Sequence, residues 1–203
     1  MRRKDLEILL QSLDRFQSPK PELEQYSTPA VIAAEMLFEA LARGHIEGRK
    51  VLDMGCGTGL LGIGAALLGA SAVVGVDKDP IALEQTKVNA VKAGVDIDIR
   101  QADVDIFSEK ADTVIMNPPF GAQRRGADRP FLSTAMHCAP VIYSLHLSQT
   151  EAFVQRYVVR EGFTAEVLKR YKFGIPYMFE FHSKAKKDVD VTLFCILKIG
   201  VFE

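Results

Sequence analysis

A doubly wound, Rossmann-like α/β fold is predicted by three features of this sequence. From Lys50 onward, short runs rich in Val, Ile and Leu alternate with helical stretches, the pattern of a mostly parallel sheet covered on both faces. The first run ends in Gly55-Cys56-Gly57-Thr58-Gly59, and an apolar helix follows at once. A later run, Asp112 to Met116, ends in Asn117-Pro118-Pro119-Phe120. Two successive prolines offer no N–H to a ladder and fix φ at about −65°, so the strand must stop there.

With 203 residues, 48% of them hydrophobic and 25% charged, the chain suits one domain with a sizeable core. Residues 1–48 read as a helical N-terminal extension and 49–203 as the α/β core. Leu6, Leu9, Leu10 and Leu13 make a short amphipathic helix over residues 4–14. A connector with Pro19 and Pro21 follows. Thr28 as N-cap and Pro29 at the first helical position open a second helix running to about Gly44. Its inward face is Ile32, Met36, Leu37, Ala40 and Leu41.

In the core, strands are predicted at 50–54, 72–76, 95–101, 112–117, 141–146, 164–171 and 189–199. Helices are predicted at 60–68, 80–93, 128–138 and 149–160. Asp79 caps the second of these and Gly94 stops it, while Gly162 closes the last. Only a polar connector at 184–188 separates the final two strands, so they must run antiparallel to each other.

The net charge of −1 is unevenly spread. Residues 1–120 carry 13 Lys+Arg against 18 Asp+Glu, and residues 121–203 carry 12 against 8. The positive excess therefore lies after the Pro-Pro turn, in Arg124, Arg125, Arg129, Lys169, Arg170, Lys172 and the Lys184, Lys186, Lys187 cluster. Such a face suits a phosphate-bearing partner, although exposed lysines also serve simply as a solvated surface. Cys56, Cys138 and Cys195 form no CxxC pair, which fits a reducing compartment and argues against a zinc site within this chain. Residues 54–76 lack charge over 23 positions, a length that could span a bilayer. Their repeated glycines break the stretch into loop, helix, turn and strand, so a soluble, cytoplasmic protein without a membrane segment is expected.

The glycine-rich turn ends the first strand, where a doubly wound sheet binds its ligands. Its frame is ambiguous, because Gly57-Thr58-Gly59-Leu60-Leu61-Gly62 also satisfies the dinucleotide pattern GxGxxG. Asp53 lies two residues before Gly55, where its charge opposes a pyrophosphate but suits the ammonium of a methionyl group. Asp77 ends the second strand and can accept from both hydroxyls of a ribose; Asp103 follows the third and can accept from an adenine amino group. Asp77 would equally suit the ribose of NAD, so it is Asp53 and the Asn117 to Phe120 turn that favour S-adenosylmethionine over NAD. Alone, Asp53 would read as a cap of the turn and Asp103 as a loop residue.

The Asn117 amide oxygen and the Pro118 carbonyl make two acceptors, matching an –NH2 group with two donors. Phe120 offers a flat surface beside them, and Pro119 stiffens the turn. The four residues read as a holder for a planar amine, although an isolated Asn-Pro-Pro is also an ordinary stiff loop.

Glu24-Gln25-Tyr26-Ser27-Thr28-Pro29, the Asp53 to Gly59 turn, Gly75-Val76-Asp77, Met116 to Gly121 and Val141-Ile142-Tyr143-Ser144-Leu145-His146 appear in order over nearly the whole chain. Together they resemble the methyltransferase-like protein 5 family, RNA adenine-N6 methyltransferases acting on small-subunit ribosomal RNA. The resemblance implies a class I methyltransferase fold with seven strands, the last inserted between the fifth and sixth. It implies S-adenosylmethionine contacts at Gln25, Thr28, Gly55, Thr58, Leu60, Asp77, Asp103 and Val104, with Asn117 to Phe120 holding the adenine. Arg124, Arg125, Lys184, Lys186 and Lys187 would then contact RNA. It also implies a small zinc-binding activator protein, for which the exposed edge strand from Val95 to Gln101 is the expected seat. On residues alone the charges of that strand equally serve to keep an edge from pairing.

Three other readings fit parts of the pattern. A glutamine-N5 methyltransferase of release factors grips a side-chain amide in a similar turn, but usually carries a larger domain upstream than the 48 residues found here. A guanine-N2 methyltransferase of ribosomal RNA shares the donor. A non-catalytic RNA-binding or ribosome-assembly module could keep the fold, although the intact Asp53, Asp77, Asp103 and Asn117 set argues against it.

Overall fold

In the computed structural model, which describes residues 1–121, 126–176 and 186–200, the strands are β1 (Lys50–Met54), β2 (Ala72–Asp77), β3 (Asp98–Gln101), β4 (Thr113–Met116), β5 (Val141–Leu147), β6 (Phe163–Pro176) and β7 (Lys186–Lys198). They form one sheet in the order β3-β2-β1-β4-β5-β7-β6. The first five strands are parallel, and β7 runs antiparallel to both neighbours. The last strand is thus inserted between the fifth and sixth, as the resemblance implied.

Helices α1 (Arg3–Ser12), α2 (Ala30–Ala42) and α3 (Leu60–Leu67) cover one face, where α4 (Pro80–Ala93) also contributes Ala90. Helices α5 (Asp128–Cys138) and α6 (Glu151–Arg160) cover the other. Strand alternation decides what each face receives. Val51, Ile115 and Tyr143 point to the α1–α4 side, while Leu52, Val114 and Ile142 point to the α5–α6 side. By the same alternation Asp53 and Asn117 fall on the α1–α4 side. The N-terminal extension is integral to that layer: Leu6 and Leu10 are fully buried, each contributing roughly 1.5–3 kcal/mol.

Four expectations are corrected. Strand β3 starts at Asp98 rather than Val95, because the Val95 N–H closes the end of α4 onto the Ala90 carbonyl and cannot join the ladder. It remains the sheet edge, with Val95, Ile97 and Ile99 half-buried and Asp96, Asp98 and Arg100 exposed. Strands β6 and β7 are longer than predicted: β5 follows β7 only as far as Leu147 opposite Val191, and beyond it the two continue as a ribbon down to Pro176 opposite Lys186. Tyr171 and Val189 in this stretch still pack against the core, while the charged run from Lys186 to Asp188 carries no apolar residue, so it reads as a connector but is strand. Finally, Thr28 does not cap α2. Pro29 is the N-cap, its carbonyl taking the N–H groups of Ile32 and Ala33, and the Thr28 hydroxyl is used elsewhere.

Candidate active site

A cavity of about 440 Å³ opens at the carboxyl ends of β1, β2 and β4, the ligand position of a doubly wound sheet. Its floor is the glycine-rich turn. Gly55 (φ 72°) and Gly57 (φ 56°) sit in the left-handed region, and both meet an aromatic ring. A Cβ on Gly55 would lie 2.8 Å from the Phe131 ring, and one on Gly57 would lie 2.8 Å from the Phe16 ring. Side chains of α4 hold the turn from below. Thr86 donates to the Gly57 carbonyl at 2.7 Å, and Asn89 donates to the Thr58 carbonyl at 2.9 Å. Asn89 also pairs with both backbone groups of Asp14, tying the Phe16 segment to the same helix.

Three strand-end carboxylates surround the turn. Asp53 is buried and accepts from the Gly62 N–H at 2.7 Å, anchoring the start of α3. Burial lifts its pKa to about 7, against the Gly62 hydrogen bond and with help from the Asp77 charge. Asp77 accepts from the N–H groups of Gly57 and Asp79, both at 2.9 Å. Burial raises its pKa in spite of those hydrogen bonds. Exposed Asp103 accepts from Asp105 N–H and lines the cavity with buried Val104. A carboxylate has about four acceptor positions, so each can hold its local N–H and still receive a ligand. A methionyl ammonium, two ribose hydroxyls and an adenine amine are the donors such a row fits.

The segment before α2 lies across the Pro-Pro turn in a regular alternation. Glu24 accepts from the Gly121 N–H at 3.2 Å. The Tyr26 ring packs on Phe120 with centroids 5.2 Å apart and planes at 34°. The Thr28 hydroxyl accepts from the Asn117 Nδ2 at 3.0 Å. The intervening Gln25 faces the other way and donates to Asp79 at 2.7 Å, beside a Lys20–Asp79 ion pair at 2.8 Å. Burial pushes Asp79 up, but these hydrogen bonds outweigh it and hold it below the usual carboxylate range. The Asn117 amide oxygen is buried and has no hydrogen-bond partner among the described residues.

Gln25, Thr28, Asp53, Gly55, Gly57, Thr58, Leu60, Asp77, Asp103, Val104, Asn117 and Pro119 all line the cavity. Gly59, the N-cap of α3, lies beneath it, where a Cβ would meet Thr86 at 2.6 Å. Pro118 and Phe120 are buried, off the wall, and the Phe120 ring backs the turn through Tyr26. Arg124, Arg125 and Lys184 lie outside the described residues, as do the side chains of Lys186 and Lys187. Glu24, Phe16, Arg129 and Phe131 also line the cavity; Glu24 stands out in the sequence as part of a motif and Arg129 for its charge. Phe16 and Phe131 carry no pattern of their own; the close approach demanded by Gly55 and Gly57 was the available signal.

Sheet order, glycine turn and strand-end carboxylates together define a class I, Rossmann-like methyltransferase. A family model described as ribosomal protein L11 methyltransferase (PrmA) matches residues 33–118. The rRNA N(6)-adenosine-methyltransferase METTL5 of Danio rerio is 39% identical over 94% of this chain and 96% of its own length. The Mettl5 protein of Drosophila melanogaster is 37% identical over 92% of both. A crystal structure from Pyrococcus horikoshii, described as a candidate RNA methyltransferase, has a TM-score of 0.91 at 37% identity, covering 100% of this chain and 99% of that one. The chain belongs to the METTL5 family of rRNA N6-adenosine methyltransferases. The L11 model stops at Pro118, so what it shares is the cofactor half.

Proposed function

We propose that this chain methylates N6 of an unpaired adenosine in small-subunit ribosomal RNA. It is an S-adenosylmethionine-dependent methyltransferase, and the cofactor, when bound, supplies an electrophilic methyl group. Asp53, Asp77 and Asp103 would hold its ammonium, ribose and adenine. The observation that carries the acceptor assignment is the Asn117 amide oxygen. A buried acceptor left unpaired costs about 1–3 kcal/mol, and a ligand N–H removes that cost. The free adenine N6 lone pair is delocalised into the ring. Accepting from N6–H at the Asn117 oxygen would favour the tetrahedral nitrogen needed for attack, and the site's main contribution is alignment. As N6 gains the methyl, its proton passes to water, so no strong base is required. Phe131 presents a ring on the cavity wall, and Phe120 stiffens the turn behind it. Presenting N6 requires an unstacked base.

The test is tritiated S-adenosylmethionine with small-subunit RNA, intact subunits and release factor in parallel, followed by nucleoside mass spectrometry. Label as N6-methyladenosine is expected. Label in glutamine of the release factor, or as N2-methylguanosine, would overturn the acceptor assignment.

We further propose that the protein works in the cytoplasm with a small zinc-binding activator seated on the β3 edge. Among the described residues strand β3 pairs only with β2, and exposed Ile81, Val88, Val91 and Ile106 lie on α4 and beyond the strand. The Ala102 N–H points to Asp77 on β2, so by alternation the Ile99 N–H faces outward, open to an added strand. Arg100 pairs with Asp98 on the same edge, the charge pattern that also discourages aggregation. Ile99→Pro removes the outward N–H where an edge tolerates proline. Loss of co-purification with retained fold is expected; a monodisperse, fully active protein alone would overturn the partner.

A further inference from the structure

We propose that Arg129, with the face of α6 on which it leans, binds the RNA backbone beside the adenosine that enters the cavity. The inference rests on the reading of RNA as the substrate. Arg129 stands in the first turn of α5, is exposed, and lines the cavity. Its guanidinium is held in place on two sides. The Arg129 Cζ lies 4.8 Å from the centre of the Phe153 ring, a cation–π contact. Gly126 sits in the left-handed region (φ 78°), and a Cβ there would lie 3.1 Å from the Arg129 Nε and 3.6 Å from its Cζ. The neighbouring carboxylate does not neutralise it, because Asp128 is turned onto the buried His146 at 3.1 Å. Among the described residues Arg129 pairs with no carboxylate. A fixed planar fork of donors with an unspent charge suits a phosphate.

Two anions come near this cavity, the methionyl carboxylate and an RNA phosphate, and the topology favours the phosphate. The cofactor carboxylates stand at the ends of β1 and β2 and after β3, on one side of β4. Helix α6 follows β5 and packs on β6, on the other side. Leaning on Phe153, Arg129 therefore reaches past the Asn117 turn, away from the cofactor row and toward the side left for the acceptor. Helix α6 continues the surface. Phe153, Arg156, Tyr157 and Arg160 follow at i, i+3, i+4 and i+7 and so share one face. The half-buried Phe153 and Tyr157 rings stack with centroids 5.6 Å apart and planes at 19°. Arg156 and Arg160 are exposed and, among the described residues, they too pair with no carboxylate. Glu151 in the first turn of α6 is taken by Arg170 at 2.8 Å. Arginines interleaved with rings are what a single strand grips, charge to phosphate and flat face to base. A merely solvated face needs neither the gap at Gly126 nor the ring beneath Arg129.

The experiment measures binding of unmodified small-subunit RNA to the full chain at several salt concentrations. Steady-state kinetics at saturating cofactor and calorimetry with S-adenosylhomocysteine accompany it. For Arg129→Gln, Kd and KM for RNA are expected to rise about tenfold. Turnover and S-adenosylhomocysteine affinity should stay within about twofold. The slope of log affinity against log salt should flatten by about 0.7, the share of one single-strand phosphate contact. Arg129→Lys keeps the charge without the fork, so it should keep that slope and recover part of the affinity. Phe153→Leu keeps an apolar side chain on α6 and removes the ring under the guanidinium, and RNA affinity should fall about threefold. Unchanged RNA affinity and salt slope in Arg129→Gln, with wild type still forming N6-methyladenosine, would overturn the assignment. S-adenosylhomocysteine affinity falling in step with RNA affinity would overturn it too, giving Arg129 to the cofactor carboxylate. A variant that keeps RNA affinity but loses a protein partner would give the face to that partner. Wild type that labels release factor instead of RNA would remove the substrate reading, and this assignment with it.

Discussion

The Gly57 N–H donates to the Asp77 carboxylate at 2.9 Å, so the floor of the cofactor cavity and its ribose-side carboxylate form one unit. The bond joins the ends of two neighbouring strands, β1 through its turn and β2 through its last residue. A left-handed Gly57 is what turns that N–H toward Asp77.

Replacing Asp77 therefore removes a charged acceptor and a support of the turn together. Hydrogen bonds to charged groups contribute roughly 1.5–3 kcal/mol, so Asp77→Ala should weaken S-adenosylhomocysteine at least tenfold by calorimetry. Asp77→Asn keeps one acceptor for the Gly57 N–H and should fall between. Unchanged affinity in Asp77→Ala would sink the ribose assignment.

Asp53 makes cofactor affinity depend on pH. Its pKa of about 7 lies above the unfolded value, so in the free protein its stabilising contribution is present below the unfolded pKa. That contribution is lost as pH rises through about 7. A bound ammonium reverses the preference, because only the deprotonated carboxylate attracts it. Affinity for S-adenosylhomocysteine should rise about tenfold from pH 6 to pH 8, and Asp53→Asn should flatten the profile. A slope that persists in Asp53→Asn would assign the titration elsewhere.

The two aromatic residues near the turn separate by what they pack against. Phe120 is buried on Tyr26, so Phe120→Ala should cost about 3–5 kcal/mol of stability as a cavity mutation. Phe131 is half-buried on the cavity wall, so Phe131→Ala should mainly raise KM for RNA. Urea unfolding and steady-state kinetics on both variants check the division. A stable Phe120→Ala that loses only RNA affinity would return the stacking role to Phe120.

The parallel strands and their helices were legible because each carries its own period and its own stop signals. Pro80 to Ala93 was readable to the residue from Asp79 and Gly94. The full length of the β6–β7 pairing was not, since the charged run Lys186, Lys187, Asp188 has no apolar residue to mark it as strand. Within the site, Asp53, Asp77 and Asn117 stood out because charge or amide at a strand end is conspicuous. Thr86 and Asn89 did not, because a polar residue inside a helix usually faces water, and only the fold turns these two, both fully buried, against the glycine turn.

Asn89 gives the sharpest test of how that turn is held. Its Nδ2 donates to the Asp14 and Thr58 carbonyls and its Oδ1 accepts from the Asp14 N–H, all at 2.9 Å. Every one of these partners is main chain and cannot swing to a new partner. Asn89→Ala strands two carbonyls and one N–H, at about 1–3 kcal/mol for each group that water cannot reach. The Thr58 carbonyl is the buried one and Asp14 is exposed, so a loss of about 1–3 kcal/mol in urea unfolding is expected. Asn89→Asp should be no better, because a carboxylate replaces a double donor and faces two carbonyl oxygens. The same change releases the segment carrying Phe16 from above Gly57, so affinity for S-adenosylhomocysteine should fall with stability. Weakened stability with unchanged cofactor affinity would separate the Phe16 segment from the cavity it covers.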